Sequence, residues 1–126
     1  FTATGREIWP EGLYDLLTRL DREYGQPELY VTANGAAFPD DQVVDGRVDD
    51  ADRVDYLRRH LAAAERALQA GVRLRGYCVR SLLDGFEWNH GYSRRYGLVH
   101  VDFATQVRTP KKSALWYRQV AASGGV

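Results

Sequence analysis

The stretch Glu28-Leu29-Tyr30-Val31-Thr32 is followed directly by Ala33-Asn34-Gly35-Ala36-Ala37. The first five residues come after a proline and are rich in β-branched and aromatic side chains, which predicts a short strand. The next five contain Asn-Gly among small residues, which is typical of a turn. We therefore interpret residues 28–37 as a buried strand whose carboxyl end opens into a loop.

Two amphipathic helices flank this strand. In residues 10–24 leucines recur every three or four positions, and Gly25 suits the position that follows a helix. After a polar loop, Asp49 or Asp50 is suited to cap a second helix that continues to Gly71. The strand is thus predicted to lie between two helices in the chain.

The second half of the chain repeats this order. Residues 75–83 (RGYCVRSLL) predict a second strand, and residues 84–96 predict a long aromatic loop. Residues 97–103 are extended and apolar, and residues 112–122 predict a last helix. Alternating strands and helices predict parallel pairing, and two parallel strands alone leave both sheet edges open. We expect this α/β chain to join a larger sheet or to belong to one.

Composition excludes several classes of partner. The 126 residues are 44% hydrophobic, which fits at most one globular domain. Seventeen basic residues balance seventeen acidic residues without a block of like charge, so we expect neither a nucleic acid nor a membrane as partner. A neutral small molecule fits this balance better.

Cysteine and methionine usage adds further expectations. Cys78 is the only cysteine, and no spacing of Cys and His resembles a metal site, so we expect no metal and no cofactor. The usage is typical of a reducing compartment and predicts a cytoplasmic location, with Cys78 a buried, inert thiol. The chain contains no methionine and opens with Phe1, from which we expect a fragment of a longer protein.

Several segments of the sequence resemble the family 1 glycoside hydrolases. Residues 29–38 (LYVTANGAAF) are similar to a family segment that reads Ile/Val-Thr-Glu-Asn-Gly at the end of the seventh barrel strand. The family's eighth strand and the loop after it are similar to residues 76–88 (GYCVRSLLDGFEW) and 91–103 (GYSRRYGLVHVDF). A helix start that usually reads Gly-Trp-Glu-Ile in the family is similar to residues 5–13 (GREIWPEGL).

The fold that this resemblance implies is part of a larger barrel. Residues 1–126 are expected to form the C-terminal section, about strands 7 and 8 with their flanking helices, of a single (β/α)₈ TIM-barrel domain. Such a barrel commonly needs ~250 residues. The Asn-Glu-Pro motif that carries the family's acid/base glutamate does not occur in this sequence.

The resemblance further implies a retaining β-glucosidase site in which Ala33 stands at the position of the nucleophilic glutamate. Retaining glycosidases use two carboxyl groups, one as nucleophile and one as acid and base. Ala33 has no oxygen with which to attack, so we expect hydrolysis of β-glucosides to be disabled. The implied partners are a β-glucoside or related sugar and the remainder of the barrel.

Five further positions match substrate-binding positions of the family. Glu87 is expected to accept hydrogen bonds from outer sugar hydroxyls, and Trp88 to line the glycone pocket. Arg80 stands where a tryptophan normally stacks under the sugar, and Arg6 where a tryptophan borders the aglycone. Tyr96 matches an aromatic position near the pocket mouth. Because Glu87 would repel a phosphate, an unphosphorylated glucoside, galactoside or fucoside is expected.

Two other functions stay open. Arg6 and Arg80 both replace an apolar ring face with a permanent charge, so the same scaffold suits a non-catalytic protein that binds an anionic or aromatic ligand. A structural fragment that completes a split barrel is the third alternative. Outside the site, His60 is expected to be an ordinary helix residue, and Lys111-Lys112 a solvated approach to the last helix.

Overall fold

A computed structural model describes residues 1–40 and 42–125 of the chain. In this part of the chain the elements are, in order, α1 (Pro10–Glu23), β1 (Leu29–Asn34), α2 (Ala51–Gln69), β2 (Leu74–Val79), β3 (Val99–Val101), β4 (Arg108–Pro110) and α3 (Lys112–Ser123). None of the helices in the described ranges combines the length and the apolar character needed to cross a bilayer.

Strands β1 and β2 pair in parallel, as predicted. Leu29 lies opposite Leu74, and Asn34 lies opposite Val79. Strand β2 ends at Val79, earlier than the sequence suggested, because the chain then turns away from β1: the Leu82 carbonyl accepts the N–H of Val99 at 2.8 Å. The carboxyl end of β2 therefore leads towards β3 and the short antiparallel β3–β4 ladder.

One face of the β1–β2 sheet packs against helices α1 and α2. The buried residues of this layer include Leu17, Ala64 and Ala67, and the inward-facing strand residues Val31 and Tyr77 pack on them. A second core forms at the carboxyl ends of the strands, where these buried residues meet: Ala36, Phe38, Tyr56, Leu57 and Leu98. The two cores fix the strand ends relative to α2.

The helix boundaries agree with the predicted glycine stops. Gly25 and Gly71 both have positive φ, 74° and 96°, which a residue with a Cβ rarely adopts. Asp50 is the N-cap residue of α2, but its carboxylate makes no capping bond to that helix. It binds Ser113 and Arg53 instead, so the predicted position of the cap is confirmed, whereas a capping bond from the side chain is absent.

The other face of the β1–β2 sheet is uncovered. Tyr30 is 62% exposed on this face, where its ring lies over Gly76. Cys78 is also exposed, so the prediction of a buried thiol is wrong for the described chain. Side chains alternate between the two faces of a strand, and Cys78 follows Tyr77, which points to the helices. The ring of Tyr30 and the thiol of Cys78 are thus exposed, next to two sheet edges with which no other described strand pairs.

Candidate functional site

Substrate-binding positions expected from the sequence meet in one cleft at the carboxyl ends of the strands. The cleft has a volume of about 330 Å³, and five expected residues line it: Arg6, Arg80, Glu87, Trp88 and Tyr96. Phe86, Asn89 and His90 complete its wall. The sixth expected residue, Ala33, is not among the lining residues.

Arg80 contacts two other residues that line this cleft. Its Nη2 donates to Glu87 Oε2 at 2.7 Å, and its guanidinium carbon lies 4.0 Å from the centre of the Tyr96 ring. The stem of Arg80 passes so close to Gly35 that a Cβ added at Gly35 would lie 2.9 Å from Arg80 Cβ. Tyr96 is only 8% exposed and supports the guanidinium through its ring face.

A tight turn presents Glu87 and Trp88 to the cleft. The Glu87 N–H donates to the Gly91 carbonyl at 2.8 Å, and the Gly91 N–H donates back to Glu87 at 2.7 Å. Gly91 has a φ of 58°, which such a turn requires. Trp88 lies at the turn and is 91% exposed, so its indole projects from the described chain.

Ala33 lies at the end of β1, next to the strand end that carries Arg80. The carbonyl of Asn34, the following residue, accepts the N–H of Arg80 at 3.0 Å. Ala33 itself is exposed, and the pairing of β1 with β2 is irregular around it. The Asn34 side chain points towards the helices, where its Oδ1 accepts the Tyr77 hydroxyl at 2.6 Å.

Tyr77 holds this strand end as a neutral donor. Burial raises the pKa of Tyr77 well above its usual value, and the neighbouring Tyr56 and Tyr117 act in the same direction. The hydroxyl therefore keeps its proton and can hold the Asn34 amide over the working pH range. This bond fixes the residue that directly follows Ala33.

Lys111 is fully buried beneath the loops that form the cleft. Its Nζ donates to Asp40 Oδ2 at 2.5 Å and to Asp84 Oδ1 at 2.9 Å. The expectation of a solvated approach to the last helix is therefore wrong for Lys111, because two buried carboxylates face it. It is right for Lys112, whose ion pair with Asp49 is exposed.

Arg53 of α2 extends the same buried network. Its Nη2 donates to Asp40 Oδ2 at 2.5 Å, and its Nε donates to Asp50 Oδ2 at 2.9 Å. It also donates to the carbonyls of Ala36 and Arg95, which lie in the loops after β1 and β2. Burial raises the pKa of Asp50, although the hydrogen bonds from Ser113 and the positive charge of Arg53 act to lower it.

Asp84 connects the network to the aromatic loop. Its Oδ1 accepts the N–H of Gly97 at 2.9 Å, and its Oδ2 accepts Arg95 Nη1 at 2.8 Å. Gly97 approaches the backbone at Asp84 so closely that a Cβ would lie 2.3 Å from the Asp84 nitrogen. The segment that carries Tyr96, the support of Arg80, is therefore held on both sides.

Sequence reasoning missed the buried charges, and two wall residues, Phe86 and Asn89, were not singled out. A Lys-Lys pair before a helix gives no sign that one lysine is buried, because its carboxylate partners lie far away in the chain. Phe86 and Asn89 could have been found as neighbours of Glu87 and Trp88 in the aromatic loop.

Comparison with known proteins identifies the family. The family model described as Glycosyl hydrolase family 1 matches residues 1–126, the whole chain. The chain belongs to glycosyl hydrolase family 1. A family 1 relative, Beta-glucosidase A of Thermotoga maritima, is 52% identical over 125 residues, which cover 99% of this chain and 28% of the relative. The 6-phospho-beta-galactosidase of Streptococcus equi subsp. zooepidemicus is 48% identical over 117 residues, or 92% of this chain and 25% of the relative.

Solved structures of a family 1 enzyme agree with this chain's fold. The family 1 β-glucosidase of Thermotoga maritima in complex with isofagomine lactam matches it with a TM-score of 0.96, over 99% of this chain and 28% of that one. The same enzyme in complex with glucoimidazole also matches with a TM-score of 0.96 and 52% identity. The chain thus spans about 28% of the length of these relatives, and its architecture is consistent with part of a barrel.

Proposed function

We propose that this chain supplies one side of the sugar site of a retaining β-glycosidase, with hydrolysis disabled at Ala33. Residues 1–126 are then part of a single TIM-barrel domain, with β1 and β2 as about its seventh and eighth strands. The observation that carries the proposal is the cleft at the strand ends, which brings together Arg6, Arg80, Glu87, Trp88 and Tyr96. Barrel enzymes place their sites at this end of the strands.

The cleft residues divide the work of holding a sugar. Glu87 Oε2 is occupied by Arg80, whereas its Oε1 makes no bond within the described ranges and is available to a sugar hydroxyl. Trp88 offers an exposed indole that can cover an apolar sugar face or donate its N–H. The ligand is a β-glucoside or a related β-glycoside, and the remainder of the barrel supplies the opposite wall and the acid/base carboxyl group. A cytoplasmic location is part of the same proposal.

The missing step is the first displacement. A retaining glycosidase forms a covalent bond between a carboxylate oxygen and the anomeric carbon, while the acid protonates the leaving oxygen. Ala33 offers only a methyl group at the strand end next to Arg80. The sugar is then bound but not transferred to the protein, so the remaining rate should be several orders of magnitude below that of an intact site.

A non-catalytic binding protein is the second candidate function. Among the described residues, two guanidinium groups line the cleft against one carboxylate, which leaves one uncompensated positive charge on this chain's side of it. A site that only binds an anionic ligand needs no nucleophile. The third candidate, a structural fragment of a split barrel, rests on the open edges and uncovered face of the β1–β2 sheet.

The decisive experiment needs a complete barrel. We define the chimaeric barrel as the Thermotoga maritima β-glucosidase A in which residues 1–126 of this chain replace the matched segment. An aryl β-glucoside should turn over negligibly in this protein, and added azide should release the aryl group, because a small anion can enter the space beside Ala33. Attack from the side opposite the leaving group inverts the anomeric centre, so the product is an α-glycosyl azide.

Binding without azide rescue would favour the non-catalytic candidate. Rapid hydrolysis without azide would contradict the proposal, because a residue other than the one at position 33 would then supply the nucleophile. Thermal unfolding of the chimaeric barrel provides the control that all variants are folded.

A further inference from the structure

The strongest unexplained feature of the cleft is the half-occupied guanidinium of Arg80. Its Nη2 binds Glu87, and its Nε and Nη1 make no hydrogen bond to any residue that the structure describes. Tyr96 lies against one face of the guanidinium, and Arg80 is still 41% exposed. The arginine is therefore held in place, and its Nε and Nη1 edge is free to bind a ligand.

A second arginine of this chain shows what such an edge can bind. Arg53 binds two carboxylates at once, with Nη2 on Asp40 at 2.5 Å and Nε on Asp50 at 2.9 Å. The planar guanidinium permits this because its five N–H donors point outwards along separate edges. Arg80 has the same arrangement with one of the two carboxylates in place.

Charge in the cleft favours a singly charged anion. Arg6 lines the same cleft and forms no ion pair with any described residue, so this chain's side of the cleft carries one positive charge beyond the Arg80–Glu87 ion pair. A carboxylate neutralises this charge. A phosphate monoester carries about −1.5 to −2 charges near pH 7, so it would make the cleft negative beside Glu87.

We propose that Arg80 and Arg6 select β-glycosides of an acidic sugar, a β-hexuronide, whose carboxylate completes the open edge of Arg80. This inference rests on the proposed function of the cleft as a sugar site and names the class of sugar. Glu87 positions Arg80 from one side, and its free Oε1 accepts a hydroxyl of the same sugar. A neutral hexoside has no group that uses the uncompensated charge.

The test is calorimetric titration of the chimaeric barrel, which keeps Ala33 and so leaves the ligands intact. The probes are methyl β-D-glucuronide, methyl β-D-glucoside and methyl β-D-glucoside 6-phosphate. The glucuronide should bind about tenfold or more tightly than the glucoside, since a bond between charged groups is stronger than one between neutral groups. This preference should shrink severalfold between about 0.05 M and about 0.5 M salt.

Variants assign the preference to Arg80. Arg80→Gln should remove most of it, whereas Arg118→Gln, the same change at an exposed arginine of α3, should leave it unchanged. Glu87→Gln should widen the preference for the glucuronide. The amide keeps an oxygen that accepts a sugar hydroxyl, but it removes the negative charge beside Arg80, and only the glucuronide carries a charge that gains from this.

The outcomes separate this inference from the proposed function. If the glucoside binds as tightly as the glucuronide, or Glu87→Gln leaves the ratio of the two affinities unchanged, the selection of acidic sugars is wrong while the sugar site stands. If the 6-phosphate binds most tightly, the assignment to a carboxylate is overturned in favour of phosphorylated sugars. If none of the three probes binds to the folded protein, both the inference and the proposed function fail.

Discussion

Lys111 Nζ lies 2.9 Å from Asp84 Oδ1, and neither side chain is accessible to solvent. This bond joins the start of α3 to the loop after β2, 27 residues away in the chain. The same Asp84 oxygen accepts the N–H of Gly97, next to the tyrosine that supports Arg80. A residue far from the cleft surface therefore contributes to the position of the cleft arginine.

Removal of the Lys111 charge should destabilise the chimaeric barrel strongly. Lys111→Met leaves Asp40 and Asp84 buried without this partner, and breaking a buried ion pair from one side costs about 3–5 kcal/mol. Lys112→Met is the matched control, because its exposed pair with Asp49 contributes at most about 1 kcal/mol. Urea unfolding measures both variants. Equal losses in the two variants would contradict the assigned role of Lys111.

His60 should make the stability of the fold depend on pH. The ring is 5% exposed, stacks on Tyr56 with 3.9 Å between ring centres, and donates from Nδ1 to the Tyr56 carbonyl at 2.8 Å. Burial lowers the pKa of His60, and the nearby charge of Arg59 lowers it further. Below pH ~6.5, the usual pKa of histidine, the unfolded chain therefore binds a proton at His60 more readily than the folded protein does.

The sign of this effect follows from the lowered pKa. The stabilising contribution of neutral His60 is fully present above pH ~6.5 and is lost as the pH falls through the folded-state pKa. Between about pH 7.5 and about pH 5.5, the free energy of unfolding should therefore decrease more for the parent chimaeric barrel than for His60→Gln. Arg118→Gln, a change at an exposed residue of α3 that is not a histidine, should retain the parent slope. An unchanged slope in His60→Gln would show that another group titrates.

The isolated chain should not form a tightly packed monomer. Tyr30 is 62% exposed on the uncovered face of the β1–β2 sheet, Leu82 is 68% exposed, and no other described strand pairs with either edge of that sheet. Open edges with exposed apolar groups favour association. Sedimentation velocity should show several species, and near-ultraviolet circular dichroism should be weak. A monomer with a sharp thermal transition would contradict the need for a covering partner.

Local pattern was sufficient to predict the main elements of the fold. The helix of residues 10–24, the strand at Leu29 and the long helix that ends before Gly71 follow from periodicity and from glycine and proline signals, and the structure contains all three. The end of β2 was misplaced, because residues 80–83 remain β-prone while their partner changes from β1 to β3. The change of partner is a tertiary effect that one strand's sequence does not encode.

Five of the six residues that the sequence assigned to a site line one cleft, but their contacts with one another were not predicted. The resemblance assigned Arg80 and Glu87 to a sugar site, and the structure places them in one cleft. Their mutual ion pair was not foreseen, because it depends on the turn at residues 87–91 folding back over the strand end. The burial of Lys111 was not predicted either, because its two carboxylate partners come from two separate loops.

The most direct test of the disabled-glycosidase proposal is the hydrolysis rate of Ala33→Glu in the chimaeric barrel. Aryl β-glucoside and aryl β-glucuronide serve as substrates, and Ala33→Gln, which adds similar bulk without a nucleophilic carboxylate, serves as the control. A carboxylate restored at position 33 should raise hydrolysis of at least one substrate by several orders of magnitude, with retention of the anomeric configuration seen by NMR. If Ala33→Glu is folded and hydrolyses neither substrate faster than Ala33→Gln, Ala33 does not occupy the nucleophile position.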